Sequence, residues 1–134
     1  IRREAGRVGL ELDETSGYFS TRIPGMINHV VRADCARPES ISYCKRHGLS
    51  QITGVEKWAG SVEDGIEHMR SYDEIVIHPD CVETIKEFRF YSYKVHKQTG
   101  DILPQPHDSF NHYIDAIRYA LAPRIRQRDF IFSC

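Results

Sequence analysis

Ile27-Asn28-His29-Val30-Val31-Arg32-Ala33 closes on Asp34, and Pro38-Glu39-Ser40-Ile41 opens the next element. The first run is short and apolar around Val30-Val31, suited to a buried strand that ends at a carboxylate. Pro38 stands where the first turn of a helix tolerates it, and that helix runs to His47, with Gly48 as its stop and Ile41 and Cys44 facing inward. Residues 51–55 read as a second short strand. Strands alternating with helices at this spacing favour an α/β layer structure with a partly parallel sheet and helices on its faces.

The same punctuation extends outward. Residues 1–12 read as extended chain, the interior of a strand or hairpin with no Met and no polar lead-in, so the expectation is that an opening strand precedes Ile1. Asp13-Glu14-Thr15-Ser16 can cap a helix to about Arg22, ended by Pro24-Gly25. Ser61 with a carboxylate at Asp64 forms a capping-box arrangement, and Val62, Ile66 and Met69 predict a helix to about Tyr72. Residues 74–78 have the composition of a buried strand, after which Asp80 and Glu83 cap a helix with Val82, Ile85 and Phe88 inward. Residues 91–103 form a two-stranded excursion turning at Thr99-Gly100-Asp101, and a last helix runs from Asp108 or Ser109 to Pro123. Beyond it lie Arg124, Arg126 and Arg128 and the apolar Phe130-Ile131-Phe132.

A chain of 134 residues has room for one core, and 40% hydrophobic with 28% charged residues is ordinary globular composition, excluding collagen-like and disordered classes. The net charge of -1 gives no global field for nucleic acid, so such a partner needs a local basic patch. No apolar run approaches the roughly 18 residues of a membrane span, and the opening Ile1-Arg2-Arg3-Glu4 lacks the core of a signal peptide, pointing to a soluble intracellular product. Cys35, Cys44, Cys81 and Cys134 contain no Cys-x-x-Cys pair and fit no standard zinc spacing, so they are read as reduced thiols. The stretch from Gly54 to Gly60 lacks the Gly-Lys-Ser/Thr ending of a Walker loop, and the chain is not an ATPase by itself.

On the last helix Phe110, Ile114, Ile117 and Leu121 make the apolar stripe, which leaves Asp108, His112, Asp115 and Tyr119 along one other edge. Spacing alone describes a solvated helix face as well as a ligand edge. Position adds to it: ligands of open α/β sheets collect beyond the carboxyl ends of strands, where Asp34 stands. If the helix packs beside that strand, Asp34, Asp115 and His112 converge. Repelling carboxylates call for a hard divalent cation, Mg²⁺ or Mn²⁺, and two such ions about 4 Å apart are the machinery of phosphodiester cleavage.

Three ordered runs carry a resemblance: residues 32–41 (RADCARPESI), 57–66 (KWAGSVEDGI) and 111–121 (NHYIDAIRYAL). In order and spacing they resemble the C-terminal nuclease domain of tailed-phage terminase large subunits. The resemblance covers residues 1–123 as a nuclease domain incomplete at its N-terminus, with 124–134 left as a basic, then apolar tail. It implies an α/β, ribonuclease H-like fold, a mixed sheet flanked by helices with its opening strand missing from this chain. It also implies a metal-dependent endonuclease cutting concatemeric double-stranded DNA during genome packaging, with two Mg²⁺ or Mn²⁺ ions in the complete site.

By the same likeness Asp34 matches the second metal-binding acid, Asp115 the third, and His112 a histidine bordering the metal in some members, with Asp108 as the fallback third acid. The first acid belongs to the strand before Ile1, and none of Glu4, Glu11 and Asp13 stands in its motif. The implied partners are double-stranded DNA, a terminase ATPase domain in the same gene product, the terminase small subunit and the portal protein, with no membrane, in the bacterial host cytoplasm at the procapsid portal. Lys57 is a candidate DNA-phosphate contact. Arg118 has two candidate roles, contact with the DNA backbone or neutralisation of Asp115. The rival reading is a non-catalytic remnant or docking module that binds DNA or the portal protein; a junction-resolving nuclease on the same fold fits less well, because its surface should be more basic.

Overall fold

The structure, a computed structural model, describes residues 1–91, 93–95, 98–99, 102–106 and 111–126. After an irregular opening come α1 (Leu12–Arg22), a 3-10 turn (Met26–Asn28), β1 (Val31–Asp34), α2 (Pro38–Arg46) and β2 (Ile52–Val55). They are followed by α3 (Ser61–Arg70), α4 (Val82–Phe90), β3 (Tyr93–Val95), β4 (Ile102–Pro106) and α5 (His112–Ile125). β1 and β2 pair in parallel, Val31 opposite Ile52 through Asp34 opposite Val55, with α2 as the crossover. β3 and β4 form a separate antiparallel pair, as the two-stranded excursion requires. Gly100 and Asp101 of its expected turn lie outside the described residues.

Two apolar clusters hold the layers together. Cys44, Leu49 and Ile52 are buried with Met26, Val31, Ala33 and Ile41 against them, joining α2 to the parallel pair. Ile66, Met69 and Ile114 are buried with Val62, Phe88, Tyr91, Ile117 and Leu121, joining α3 and α4 to α5. The expected stripe of the last helix is thus in place at Ile114, Ile117 and Leu121, while Phe110 lies outside the described residues. A cavity of about 910 Å³ opens between the two clusters, lined by Phe19, Ile23, Met26 and Val31 on one side and Ile117 and Ala120 of α5 on another. All four residues of β1 are only half-buried, because among the described residues the sheet continues on one side of it alone and the cavity adjoins it. No helix among the described residues is long and apolar enough to cross a membrane.

Several expectations are corrected. Residues 1–10 are not a strand. They run irregularly across the molecule, with the Ile1 ammonium donating to the Val76 carbonyl at 2.5 Å and the His78 N–H donating to the Ile1 carbonyl at 2.9 Å. Residues 74–78 likewise form no strand: a strand needs a ladder, and here the backbone of Ile1 is the pairing the segment finds, leaving Val76 65% exposed. Ser61 is not the cap of α3 but its first helical residue, since Gly60, at φ 81°, takes the cap position and Asp64 accepts the Trp58 indole N–H at 2.6 Å. The last helix continues through Pro123 to Ile125; so near the C-terminal end, proline forfeits one hydrogen bond without ending the helix. Cys44 and Cys81 are free and buried, but Cys35 is disulfide-bonded and not a reduced thiol, a proximity that sequence spacing does not reveal.

The phase of α4 is also different from the apolar reading. Val82 is 59% exposed, and the buried positions are Thr84 and Glu87. The reason is Glu4, which caps the helix in place of Asp80: one carboxylate oxygen accepts the Glu83 N–H at 2.9 Å, and the other accepts the Thr84 N–H at 2.8 Å and its hydroxyl at 2.7 Å. A carboxylate at a helix start meets both unpaired N–H groups and the positive end of the dipole.

Burial pushes the Glu4 carboxyl up, but the Thr84 hydroxyl and the two backbone N–H groups outweigh it, so its pKa lies below the ordinary glutamate value. A depressed acid stabilises the fold above its unfolded pKa and loses that contribution as pH falls through the folded value. Glu4→Ala is therefore expected to cost about 1–2 kcal/mol in urea unfolding near neutral pH. The gap from wild type should narrow on acidification below about pH 4; a gap independent of pH would contradict this role.

Candidate active site

Asp34 closes β1 directly opposite Val55, the last residue of β2. Because parallel strands end on the same edge, the chain leaving β2 emerges beside the chain leaving β1. Lys57, two residues past Val55, accordingly sets its Nζ 2.9 Å from Asp34 Oδ2. Asp34 Oδ1 accepts the Ala36 N–H at 3.2 Å, which ties the carboxylate to its own turn. The hydrogen bond to Asp34 is the main cause that raises the Lys57 pKa; burial opposes it, and Tyr119 adds to it.

α5 packs against β1 and brings in Asp115 and, one turn later, Tyr119. The Tyr119 phenol is pushed up in pKa first by burial, then by the negative charge of Asp34, with Asp115 adding to it and Lys57 opposing. One hydroxyl thus feels both aspartates. Asp115 is fixed further by Arg118, whose Nη2 lies 2.6 Å from Asp115 Oδ1 and whose Nη1 donates to the Ser61 carbonyl of α3 at 3.2 Å. Arg118 is only 7% exposed, and its guanidinium lies 5.9 Å from the Tyr119 ring centroid. Its stem occupies a notch over Gly65: a Cβ there would stand 2.6 Å from Arg118 Cδ and 2.9 Å from Cγ.

The structure therefore brings Asp34, Asp115, Lys57 and Arg118 to one neighbourhood around Tyr119. Lys57 is exposed; Arg118 is buried, with one hydrogen bond to the Asp115 carboxylate, which it neutralises, and the other to the Ser61 carbonyl. His112 is exposed in the first turn of α5, three residues before Asp115. Among the described residues no group of three or more His, Cys, Asp or Glu side chains is gathered closely enough to hold a metal ion, so the expected convergence of His112 with both aspartates is not formed. Asp108 and Arg128 lie outside the described residues. The crevice among Lys57, Ser61, Arg118 and Tyr119 has a volume of about 10 Å³, near the minimum for one water. Arg126 lies over the Trp58 ring at 5.4 Å, extending positive charge along this side.

Sequence reading did not find the Ser61 carbonyl or the Gly65 notch, and nothing in one sequence signals them. Tyr119 carried a signal, its place four residues after Asp115 on the same helix edge.

Three comparisons with known proteins bear on this geometry. A family model described as "Terminase RNAseH like domain" matches residues 20–123. The terminase large subunit of Bacillus phage SPP1 is 41% identical over 90 residues, 66% of this chain and 21% of that protein. The chain thus spans about a fifth of the length of this curated relative. The crystal structure of the large terminase nuclease domain from bacteriophage SPP1, with bound Mn, superposes with a TM-score of 0.76 at 32% identity, covering 87% of this chain and 65% of that one.

The Gly65 notch makes a direct expectation. Gly65→Ala would gain about 0.5–1 kcal/mol of helix propensity, but a methyl driven into a buried, doubly bonded arginine costs about 1–3 kcal/mol. Net destabilisation in chemical denaturation is expected, with the Asp115 carboxylate carbon shifting in NMR as Arg118 is displaced. A stabilised variant with an unmoved Asp115 signal would show that the notch constrains nothing.

Proposed function

The chain belongs to the terminase RNase H-like domain family, with that fold, and from this membership we propose that it is a divalent-metal-dependent endonuclease domain acting on concatemeric double-stranded viral DNA during genome packaging. The observation that carries the reading is the placement of Asp34 at a strand's carboxyl end and Asp115 on the helix packed against it, both within electrostatic reach of one tyrosine hydroxyl. A related nuclease domain that carries Mn supports it. Residues 1–123 are proposed as the nuclease unit and 124–134 as its tail.

Asp34 and Asp115 would hold the metal. Their hard carboxylate oxygens suit Mg²⁺ or Mn²⁺, and the repulsion between them, now relieved by Lys57 and Arg118, is what a cation would relieve in turn. When bound there, such ions supply an activated water and stabilise the leaving oxygen of a phosphodiester. The chain's own residues do the rest. Arg118 keeps Asp115 in one orientation from inside the α3–α5 interface. Lys57, exposed beside Asp34, would meet a backbone phosphate, a contact that positions DNA without reading its sequence. His112 borders the site. The complete site of two ions, the ATPase domain in the same gene product, the small subunit, the portal protein and action in the host cytoplasm at the procapsid portal are part of this proposal.

One observation favours the second reading, a docking module that binds DNA or portal protein without cutting. Each aspartate already has an in-chain cation, and the described residues gather no three-ligand cluster.

Crystals soaked in millimolar Mn²⁺ are expected to show anomalous density between Asp34 and Asp115. Two carboxylates hold at most one ion well, so plasmid nicking in Mn²⁺ should be weak and should fall to background in Asp34→Asn and in Asp115→Asn. DNA binding should weaken steeply with salt, because phosphate contacts release counterions. Density elsewhere, with nicking unaffected by either substitution, would sink the endonuclease assignment to these acids; salt-dependent binding with no metal and no nicking would establish the docking module.

A further inference from the structure

Glu87 is a buried carboxylate, 4% exposed, on the inner side of α4. Its Oε2 accepts the N–H of Tyr113 at 2.7 Å and that of Ile114 at 2.9 Å, the first-turn N–H groups of α5. Those groups have no partner within their own helix, and Asn111, at the cap position, offers no side-chain hydrogen bond to them. The start of α5 is thus capped from another helix, 26 residues earlier in sequence for Tyr113. That start is where Asp115 is placed: its own N–H is the next to bond within the helix, to the Asn111 carbonyl at 2.8 Å.

We propose that Glu87 is a positioning residue for Asp115, an α4 carboxylate that fixes where and at what angle α5 begins as it packs against β1, the strand that ends at Asp34. The inference rests on the reading of Asp115 as a metal ligand. Two constraints then set this aspartate. Arg118 holds its carboxylate, and Glu87 holds the backbone from which that carboxylate projects. An unpartnered negative charge in this interior would be unfavourable; here the two N–H donors and the positive end of the α5 dipole meet it. The aliphatic stem lies between the helices that also pack through Phe88 and Ile114. A methionine or leucine would fill the same space, so packing alone does not call for an acid. Partners of this kind, behind the ligands themselves, alter metal affinity by about 10- to 100-fold in metalloproteins generally.

The test is Mn²⁺ affinity of the whole chain, read by electron paramagnetic resonance of the free ion, beside amide exchange of Tyr113 and Ile114. Glu87→Ala is expected to weaken Mn²⁺ about 10-fold or more and to speed exchange at both amides. Glu87→Gln keeps an acceptor oxygen and should restore most of the affinity. Glu4→Ala, which uncaps α4 and leaves the start of α5 capped, should bind Mn²⁺ as wild type does. Equal weakening by Glu4→Ala would reduce the effect to general loss of stability and overturn the inference, as would equal weakening by Glu87→Gln. If Glu87→Ala does not fold, Glu87→Asp, with its carboxylate drawn back by one methylene, takes its place: weakened Mn²⁺ supports the proposal, unchanged Mn²⁺ overturns it. Asp115→Asn separates the two levels. If that variant binds Mn²⁺ as wild type does, the metal reading itself fails; if it loses Mn²⁺ while Glu87→Ala does not, the positioning role alone fails.

Discussion

A guanidinium taken out of water has to be met on several sides, and Arg118 organises its surroundings on those terms. Its stem needs the space that Gly65 leaves open on α3, one nitrogen needs the Ser61 carbonyl, and another needs the Asp115 carboxylate. Its Nε is buried without a hydrogen-bond partner, which makes the remaining contacts costly to give up. The helix pair α3–α5 is therefore specified by a charge as much as by Ile66, Met69 and Ile114, and the same charge fixes the direction of an acid in the candidate site. Buried ion pairs are weak evidence of stability, but breaking one leaves an uncompensated charge. Removing Asp115 and removing Arg118 are thus not equivalent changes: the first strands a cation in the interior, whereas the second leaves an acid with partial access to water.

The parts of the fold that rest on apolar periodicity and on proline and glycine punctuation were legible in the sequence. The helix opened by Pro38 and the next strand appear where their side chains predict, whereas of the run expected as a buried strand only Val31–Asp34 is strand, half-buried, with Met26–Asn28 a 3-10 turn and Val30 exposed. The resemblance carried by residues 32–41, 57–66 and 111–121 pointed to the family that the comparisons then established. Several failures of the reading share one physical cause, contacts between residues distant in sequence. Glu4 reaches Thr84, Ile1 occupies the backbone of Val76 and His78, and Glu87 reaches Tyr113; none has a local signature. On α4 this overrode the apolar pattern and buried Thr84 and Glu87 where Val82 and Ile85 had the stronger hydrophobic claim. In the site, Asp34 and Asp115 could be selected by position and motif. That Arg118 is interior and Lys57 exterior could not, because burial is decided by the helix opposite.

The two acids are treated alike by their chemistry and differently by their setting. Asp34 meets a lysine on a flexible stem at the surface, a pair of the kind worth little in water and readily exchanged. Asp115 meets an arginine locked into the interior. A site arranged in this way has one adaptable side and one rigid side. On the proposed reading the rigid side would set the geometry, and the adaptable side is the one that would yield to a different cation.

The two apolar clusters also imply an order of assembly. Cys44, Leu49 and Ile52, with Met26 and Val31, are drawn from one continuous stretch of chain, so that cluster can form by closing short loops. The other joins Ile66 and Met69 to Ile114 and must bring distant segments together before any contact is gained. Asp34 belongs to the early half and Asp115 to the late half. The acids thus come from segments far apart in the chain and are brought to one side of the molecule only by the packing of α5 against β1, so their mutual repulsion is a cost of that single contact.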